Sequence, residues 1–94
     1  MFMATLDDFR NTFAVRLAEA MAAKGVDEYF VAGGSQCSKY DIEKYLLGVM
    51  IPVFYRATLI AETLDVSLDY LTGRTARPNV SHSPSKKAAS VPRR

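Results

Sequence analysis

Cysteine, histidine and long apolar runs are scarce in this sequence, and each scarcity excludes a class of protein. The 94 residues hold one cysteine, Cys37, and one histidine, His82, so we expect neither an internal disulfide nor a metal site. The longest apolar stretch, residues 46–55, is too short to span a bilayer. The first residues also lack the basic segment and apolar run of a signal peptide. These features predict a cytoplasmic protein without a metal, a cofactor or a membrane partner.

Acidic residues are missing from one end of the chain. Residues 74–94 contain six lysines and arginines and no acid, whereas residues 1–73 contain six basic and ten acidic residues, a net charge of −4. Because this end is rich in serine and proline and has little to bury, we predict a disordered basic tail over residues 75–94. The tail has two interpretations, a solubilising end or an arm that attracts phosphates without sequence preference.

Helical periodicity in the rest of the chain predicts a single all-α domain over residues 1–74. The first helix is expected between Thr5, which with Asp8 approximates a capping box, and Gly25, which is placed to end it. Its apolar residues recur in steps of three and four, the spacing of one helix face. They are Leu6, Phe9, Phe13, Leu17, Ala20 and Met21.

Four shorter helices are predicted by the same criteria. Their starts are expected at capping residues or in a first turn that suits proline, namely at Asp27, Ser38, Pro52 and Ser67. Gly33 and Gly34 fall near the end of the second helix, where they cost helix stability. The third helix should run to about Leu47 with Ile42 and either Tyr45 or Leu46 directed inward. The inward face of the fourth would consist of Phe54, Ala57, Ile60, Ala61 and Leu64.

Three motifs in these helices resemble the Cro/repressor helix-turn-helix family of phage and bacterial regulators. Residues 66–73, Val-Ser-Leu-Asp-Tyr-Leu-Thr-Gly, are similar to the family's final helix. The pattern Ile42-x-x-Tyr45-x-x-Gly48-x-x-x-Pro52 resembles the end of its recognition helix and the loop that follows, and Ile60-Ala61-x-x-Leu64 falls in register. The resemblance covers about residues 9–74 and implies a five-helix, lambda-repressor-like domain that binds double-stranded operator DNA.

The resemblance implies that the third helix enters the major groove while the second crosses the phosphate backbone. Lysines there can donate to guanine, Tyr40 to a phosphate, and a glutamate can accept from cytosine N4. The implied DNA-facing residues are Ser38, Lys39, Tyr40, Glu43, Lys44 and Glu28. The alternative is that the charged residues of the third helix form a solvated face, with Lys39 and Glu43 as a weak i,i+4 pair.

The loop after the third helix is unusually apolar, whereas in the family it is usually polar or basic and contacts phosphate. Together with the outer side of the fourth helix, it predicts an interface. Because family members often dimerise near this region, we expect a two-fold homodimer. The predicted interface residues are Val49, Met50, Ile51, Val53, Tyr55 and Leu59. Alternatively, some of these side chains fold back onto the core.

Taken with the resemblance, these features predict a sequence-specific repressor of phage or prophage type, which binds a palindromic operator as a homodimer and blocks RNA polymerase. The alternative is a helix-turn-helix scaffold that binds another protein through the apolar loop, residues 47–55, and Leu59. The acidic character of the domain favours it, since Asp27 and Glu28 would repel a phosphate backbone. An enzyme is not expected, since Asp41 and Glu43 lie exposed on adjacent faces of one helix. Cys37 falls at an apolar position of the family's turn, so we expect a buried structural thiol.

Overall fold

Five helices and no strand make up residues 5–78, the part of the chain that a computed structural model describes. The predicted all-α class and the order of the five helices are confirmed. The predicted tail beyond Pro78, with His82, lies outside the described residues. The helices are α1 (Leu6–Lys24), α2 (Glu28–Ser35), α3 (Lys39–Leu47), α4 (Phe54–Leu64) and α5 (Leu68–Leu71).

Side-chain caps begin four of the five helices. In each, the capping oxygen accepts a hydrogen bond from the backbone N–H three residues further on, which satisfies a donor that the first turn leaves free. Two helices, α1 and α3, end at Gly25 and Gly48, whose φ angles of 75° and 76° are in the left-handed region that favours glycine. The capping residues are those predicted, Thr5, Asp27, Ser38 and Ser67.

The start of α4 differs from the prediction. Pro52 is buried but precedes the N-cap residue Val53, so it lies in the loop instead of the first turn. Phe54, predicted to face inward, is 75% exposed. The apolar face of α4 reaches the core one turn later, at Ala57, because none of the other described helices covers the beginning of α4.

One apolar cluster contains residues from all five helices. α1 packs mainly on α3, and α2 packs on both α3 and α4. The ring of Phe13 meets that of Tyr45 edge to face at 6.3 Å, which shows that Tyr45, and not Leu46, is the inward residue of the pair left open by the sequence. The side chains with at most 1% exposure at its centre are Phe13, Leu17, Val31, Ile42, Ile60 and Leu71.

Arg16 of α1 contacts the C-terminal end of the described chain. Its Nη1 donates to the carbonyl oxygens of Tyr70 and Thr75, at 3.1 and 2.9 Å, and its guanidinium lies 4.4 Å from the centroid of the Tyr70 ring. Further along the chain, the Ser67 N–H donates to the Pro78 carbonyl oxygen at 3.0 Å. Thr75 and Pro78 thus hydrogen-bond to the five-helix part of the chain, and the boundary at residue 74 stays a prediction.

The hydroxyl of Tyr70 completes this cluster by donating to Glu19 Oε1 at 2.9 Å. Burial, followed by the hydrogen bond to Glu19, raises the pKa of Tyr70 above its ordinary value. The folded state therefore favours the neutral phenol. Its contribution to stability is present below the pKa of an unfolded tyrosine, about 10, and is lost as the pH rises through the higher folded value.

We predict that the free energy of unfolding falls more steeply between about pH 9 and pH 11 in the parent than in Tyr70→Phe, which has no phenol to ionise at this position. Urea titrations at several pH values measure this difference. Tyr40→Phe, at an exposed tyrosine of α3, is the matched control and should follow the parent. Equal slopes for the parent and Tyr70→Phe would contradict the prediction.

Gly33 and Gly34 lie near the end of α2, as predicted, and packing explains the second of them. A Cβ at Gly34 would lie 2.6 Å from Thr63 Cγ2 of α4 and would also overlap Thr63 Oγ1, whereas a Cβ at Gly33 would meet nothing within 4 Å. Thr63 is not free to move aside, because its hydroxyl donates to the Leu59 carbonyl at 2.7 Å. The missing side chain of Gly34 therefore allows α2 to pack closely on α4.

This contrast predicts opposite effects of the same substitution at neighbouring positions. Gly34→Ala should lower the free energy of unfolding by about 1–3 kcal/mol through overpacking, whereas Gly33→Ala should raise it by up to about 1 kcal/mol through helix propensity. Urea denaturation measures both values. Thr63→Ala should restore part of the loss in the Gly34→Ala background, and a stabilised Gly34→Ala would rule out the close contact.

Candidate nucleic-acid interface

The turn between α2 and α3 sets the geometry of the candidate site. Gln36 ends α2 with a φ of 60°, and its N–H donates to the Ala32 carbonyl. Two residues later Ser38 caps α3 by accepting from the Asp41 N–H at 3.2 Å. A left-handed residue between two right-handed helices reverses the chain within three residues. The two helices consequently lie against each other and share one exposed face.

Arg56 of α4 holds this turn in place. Its Nη2 donates to the Gln36 carbonyl oxygen at 3.2 Å. Burial raises the pKa of Tyr45 in α3, while a side-chain hydrogen bond with Arg56 acts in the opposite direction. Arg56 Nε is buried without a hydrogen-bond partner among residues 5–78. Sequence reasoning missed this residue, because no motif marks an arginine that reaches from one helix to the turn between two others.

Lys39, predicted to donate to a base, is already engaged within the domain. Its Nζ lies 3.2 Å from Glu43 Oε2 and 5.2 and 5.3 Å from the ring centroids of Tyr29 and Tyr40. Hydrogen bonds to Glu43 and then to Tyr29 raise the pKa of Lys39. The i,i+4 pair left open by the sequence is therefore present, and Tyr29, which had no predicted role, joins α2 to α3.

The other predicted DNA-facing residues differ in their exposure and in whether their side chains already have a partner within the domain. Tyr40 and Lys44 are exposed, and Lys44 forms no ion pair within residues 5–78. The Ser38 hydroxyl is used by its cap. Glu28 and Glu43 meet at one shallow groove of about 260 Å³, which Leu46 and Leu47 also line. The shared face of α2 and α3 thus carries a free lysine and a tyrosine together with two carboxylates.

The six predicted interface residues separate into two groups of three. Val49, Val53 and Tyr55 are exposed, as an interface requires. The other three, Met50, Ile51 and Leu59, are half-buried. Met50 packs against the core and Ile51 lines an apolar pocket, and the interface stays a prediction.

Within residues 5–78, no group of three or more His, Cys, Asp or Glu side chains is placed to hold a metal ion. None of the described helices is long and apolar enough to cross a membrane. Cys37 is half-buried instead of fully buried, with its Sγ 3.2 Å from Ser35 Oγ, so the thiol packs beside a fully buried hydroxyl under the turn.

Comparison with known proteins identifies no relative. The chain matches no protein-family model, no curated protein and no solved structure. No family is therefore assigned, and function is inferred from the motifs and from the geometry of α2 and α3.

The role of Arg56 leads to a prediction about local stability. Arg56→Met keeps the apolar stem but removes the donor to the Gln36 carbonyl, so amide hydrogen exchange should accelerate at residues 36–38 relative to the core. Arg10→Met is the matched control, because Arg10 forms only a surface pair with Asp7, which contributes at most about 1 kcal/mol. Unchanged exchange at the turn in Arg56→Met would show that the core alone holds it.

Proposed function

We propose that the chain is a sequence-specific, DNA-binding transcriptional regulator with a lambda-repressor-like fold. The observation that carries the proposal is the α2–turn–α3 unit, in which helices of 8 and 9 residues are joined by a three-residue turn and present one exposed face. Helix-turn-helix proteins place the second helix of such a unit in the major groove. In this proposal α3 reads bases and α2 crosses the phosphate backbone.

The free groups of α3 suit base contacts. Lys44 donates to O6 and N7 of guanine, while Tyr40 donates to a phosphate or packs on a thymine methyl. Lys39 must first leave Glu43, and because exposed ion pairs contribute only about 0–1 kcal/mol, a nearby phosphate or base can replace that partner. The released Glu43 then accepts from cytosine N4 or disfavours other sequences.

The proposed regulator binds as a homodimer. A two-fold dimer places its recognition helices about 34 Å apart, one turn of DNA, and so matches a palindromic operator. Occupying an operator blocks RNA polymerase, which makes repression of the phage or prophage type the proposed outcome. The basic residues of the tail add phosphate attraction that does not depend on sequence.

A protein-interaction module is the second candidate, and the groove lined by Glu28 and Glu43 favours it. Two carboxylates beside Leu46 and Leu47 suit a basic, partly apolar segment of another protein better than a phosphate backbone. In this reading the helix-turn-helix unit binds a transcription regulator or a polymerase subunit instead of DNA.

The test is selection from random double-stranded DNA by the full chain and by residues 1–78, at about physiological salt. We expect both to enrich the same palindrome. Lys44→Ala should weaken binding to the selected site by roughly 10-fold and relax preference at one position of each half-site, because a good lysine or arginine contact contributes about 1–3 kcal/mol of discrimination.

Lys24→Ala is the matched control, since Lys24 belongs to neither α2 nor α3 and pairs with Asp65 at the end of α4. It should leave the affinity and the selected sequence unchanged. Failure of both forms to enrich any sequence, together with a stoichiometric protein partner that Glu28→Lys and Glu43→Lys release, would replace the DNA proposal with the protein-interaction module.

A further inference from the structure

Phe54 is the most exposed aromatic side chain in the described part of the chain, at 75%. It lies on the same helical stripe as Ala57 and Ala61, which are both buried. The apolar face of α4 therefore continues for one turn beyond the helices that cover it. A phenylalanine left in water forgoes the free energy of burying its ring, and together with the uncovered turn of α4 its position indicates a partner surface.

An apolar pocket of about 230 Å³ opens beside Phe54. Phe54 forms part of its wall, and the rest comes from α1, the loop before α4, α4 itself and α5. The hydroxyl at its edge, Thr72 Oγ1, already donates to the Leu68 carbonyl at 2.9 Å, so the pocket offers no free side-chain donor to a polar ligand. The principal apolar lining residues are Phe9, Phe13, Ile51, Pro52, Ala57 and Leu68.

We propose that the occupant is Phe54 of a second copy of this chain, inserted reciprocally about a two-fold axis. A two-fold interface requires that one surface carry both the projecting group and the cavity that receives it, and here the two adjoin. The inference deepens the homodimer of the proposed function and rests on that dimer, but it does not depend on any contact with DNA.

The charge of the surrounding chain favours a second copy. Residues 45–55 contain no charged residue, and five of their side chains are at least 61% exposed. Four of the five lie in the loop before α4 or at the beginning of α4, whereas Leu47 also lines the groove of Glu28 and Glu43. The surface is also free of like charges that would repel an identical copy. The five residues are Leu47, Val49, Val53, Phe54 and Tyr55.

The rival occupant is the chain's own first four residues, Met-Phe-Met-Ala, which directly precede α1 and therefore Phe9. The experiment includes this rival, because Phe2→Ala would remove its only aromatic group.

Sedimentation equilibrium of the full chain, from about 1 μM to 1 mM, tests the proposal. We expect a concentration-dependent dimer whose Kd rises by about 30-fold or more in Phe54→Ala, as for a central interface residue. Phe54→Ala should keep its helical circular dichroism, since the side chain is exposed in the monomer. Tyr40→Ala, which truncates an aromatic residue of similar exposure on α3, and Phe2→Ala should leave the Kd unchanged.

Isotope-filtered NMR on a mixture of labelled and unlabelled chains locates the ring. Intermolecular contacts from Phe54 to the methyl groups of Ile51 and Leu68 are expected. A monomer at all concentrations, a dimer unaffected by Phe54→Ala, or contacts from Phe2 in their place would overturn the inference. The proposed function fails separately: a Phe54-dependent dimer that enriches no DNA sequence refutes the regulator and leaves this interface standing.

Discussion

The positive φ of Gln36 is the constraint on which the α2–α3 face depends. A non-glycine residue in the left-handed region costs on the order of 1 kcal/mol, and glycine would avoid that cost. Contacts on either side of the turn offset it, since Val31 and Ile42 are fully buried and Arg56 donates to the carbonyl that the turn exposes. The angle between the two helices is therefore fixed by the core and α4, and the exposed residues of α3 are carried on a rigid support.

The charges on this face are nearly balanced, which distinguishes it from a surface that attracts any polyanion. Lys39 is neutralised by Glu43, and Glu28 offsets Lys44 in sign. Because the affinity of proteins for DNA comes largely from cations that replace counterions, one copy of this face would bind weakly and without long-range attraction. Joining two copies raises the effective concentration of the second face once the first has bound. The affinity of the proposed regulator for DNA therefore depends on its dimerisation.

The helices could be predicted from local chemistry, whereas the groups that connect them could not. Thr5, Ser38 and Gly48 act within one turn of their own position, so the neighbouring residues are enough to predict their roles. The inward stripe of α4 was also correct from Ala57 onwards. The inward position predicted for Phe54 is wrong because periodicity identifies an apolar helix face but not how far along the helix other elements cover it. The i,i+4 spacing also offered the Lys39–Glu43 pair as an alternative. The contacts of Arg56 with the turn and of Tyr29 with Lys39 join different elements, and residue spacing does not determine them.

The contacts of Arg16 bring together parts of the chain that are far apart in sequence. Its partners, the carbonyls of Tyr70 and Thr75, lie 54 and 59 residues further along. On a ribosome, α1 emerges first and must wait for them while roughly five dozen residues are added, at about 5–20 residues per second. During those seconds Arg16 and the side of α1 that packs on α5 remain uncovered, whereas α3 is already available to the rest of the helix. The contacts between α1 and the residues around Thr75 thus form last. A nascent chain stalled before Thr75 would display this surface of α1 to chaperones and proteases.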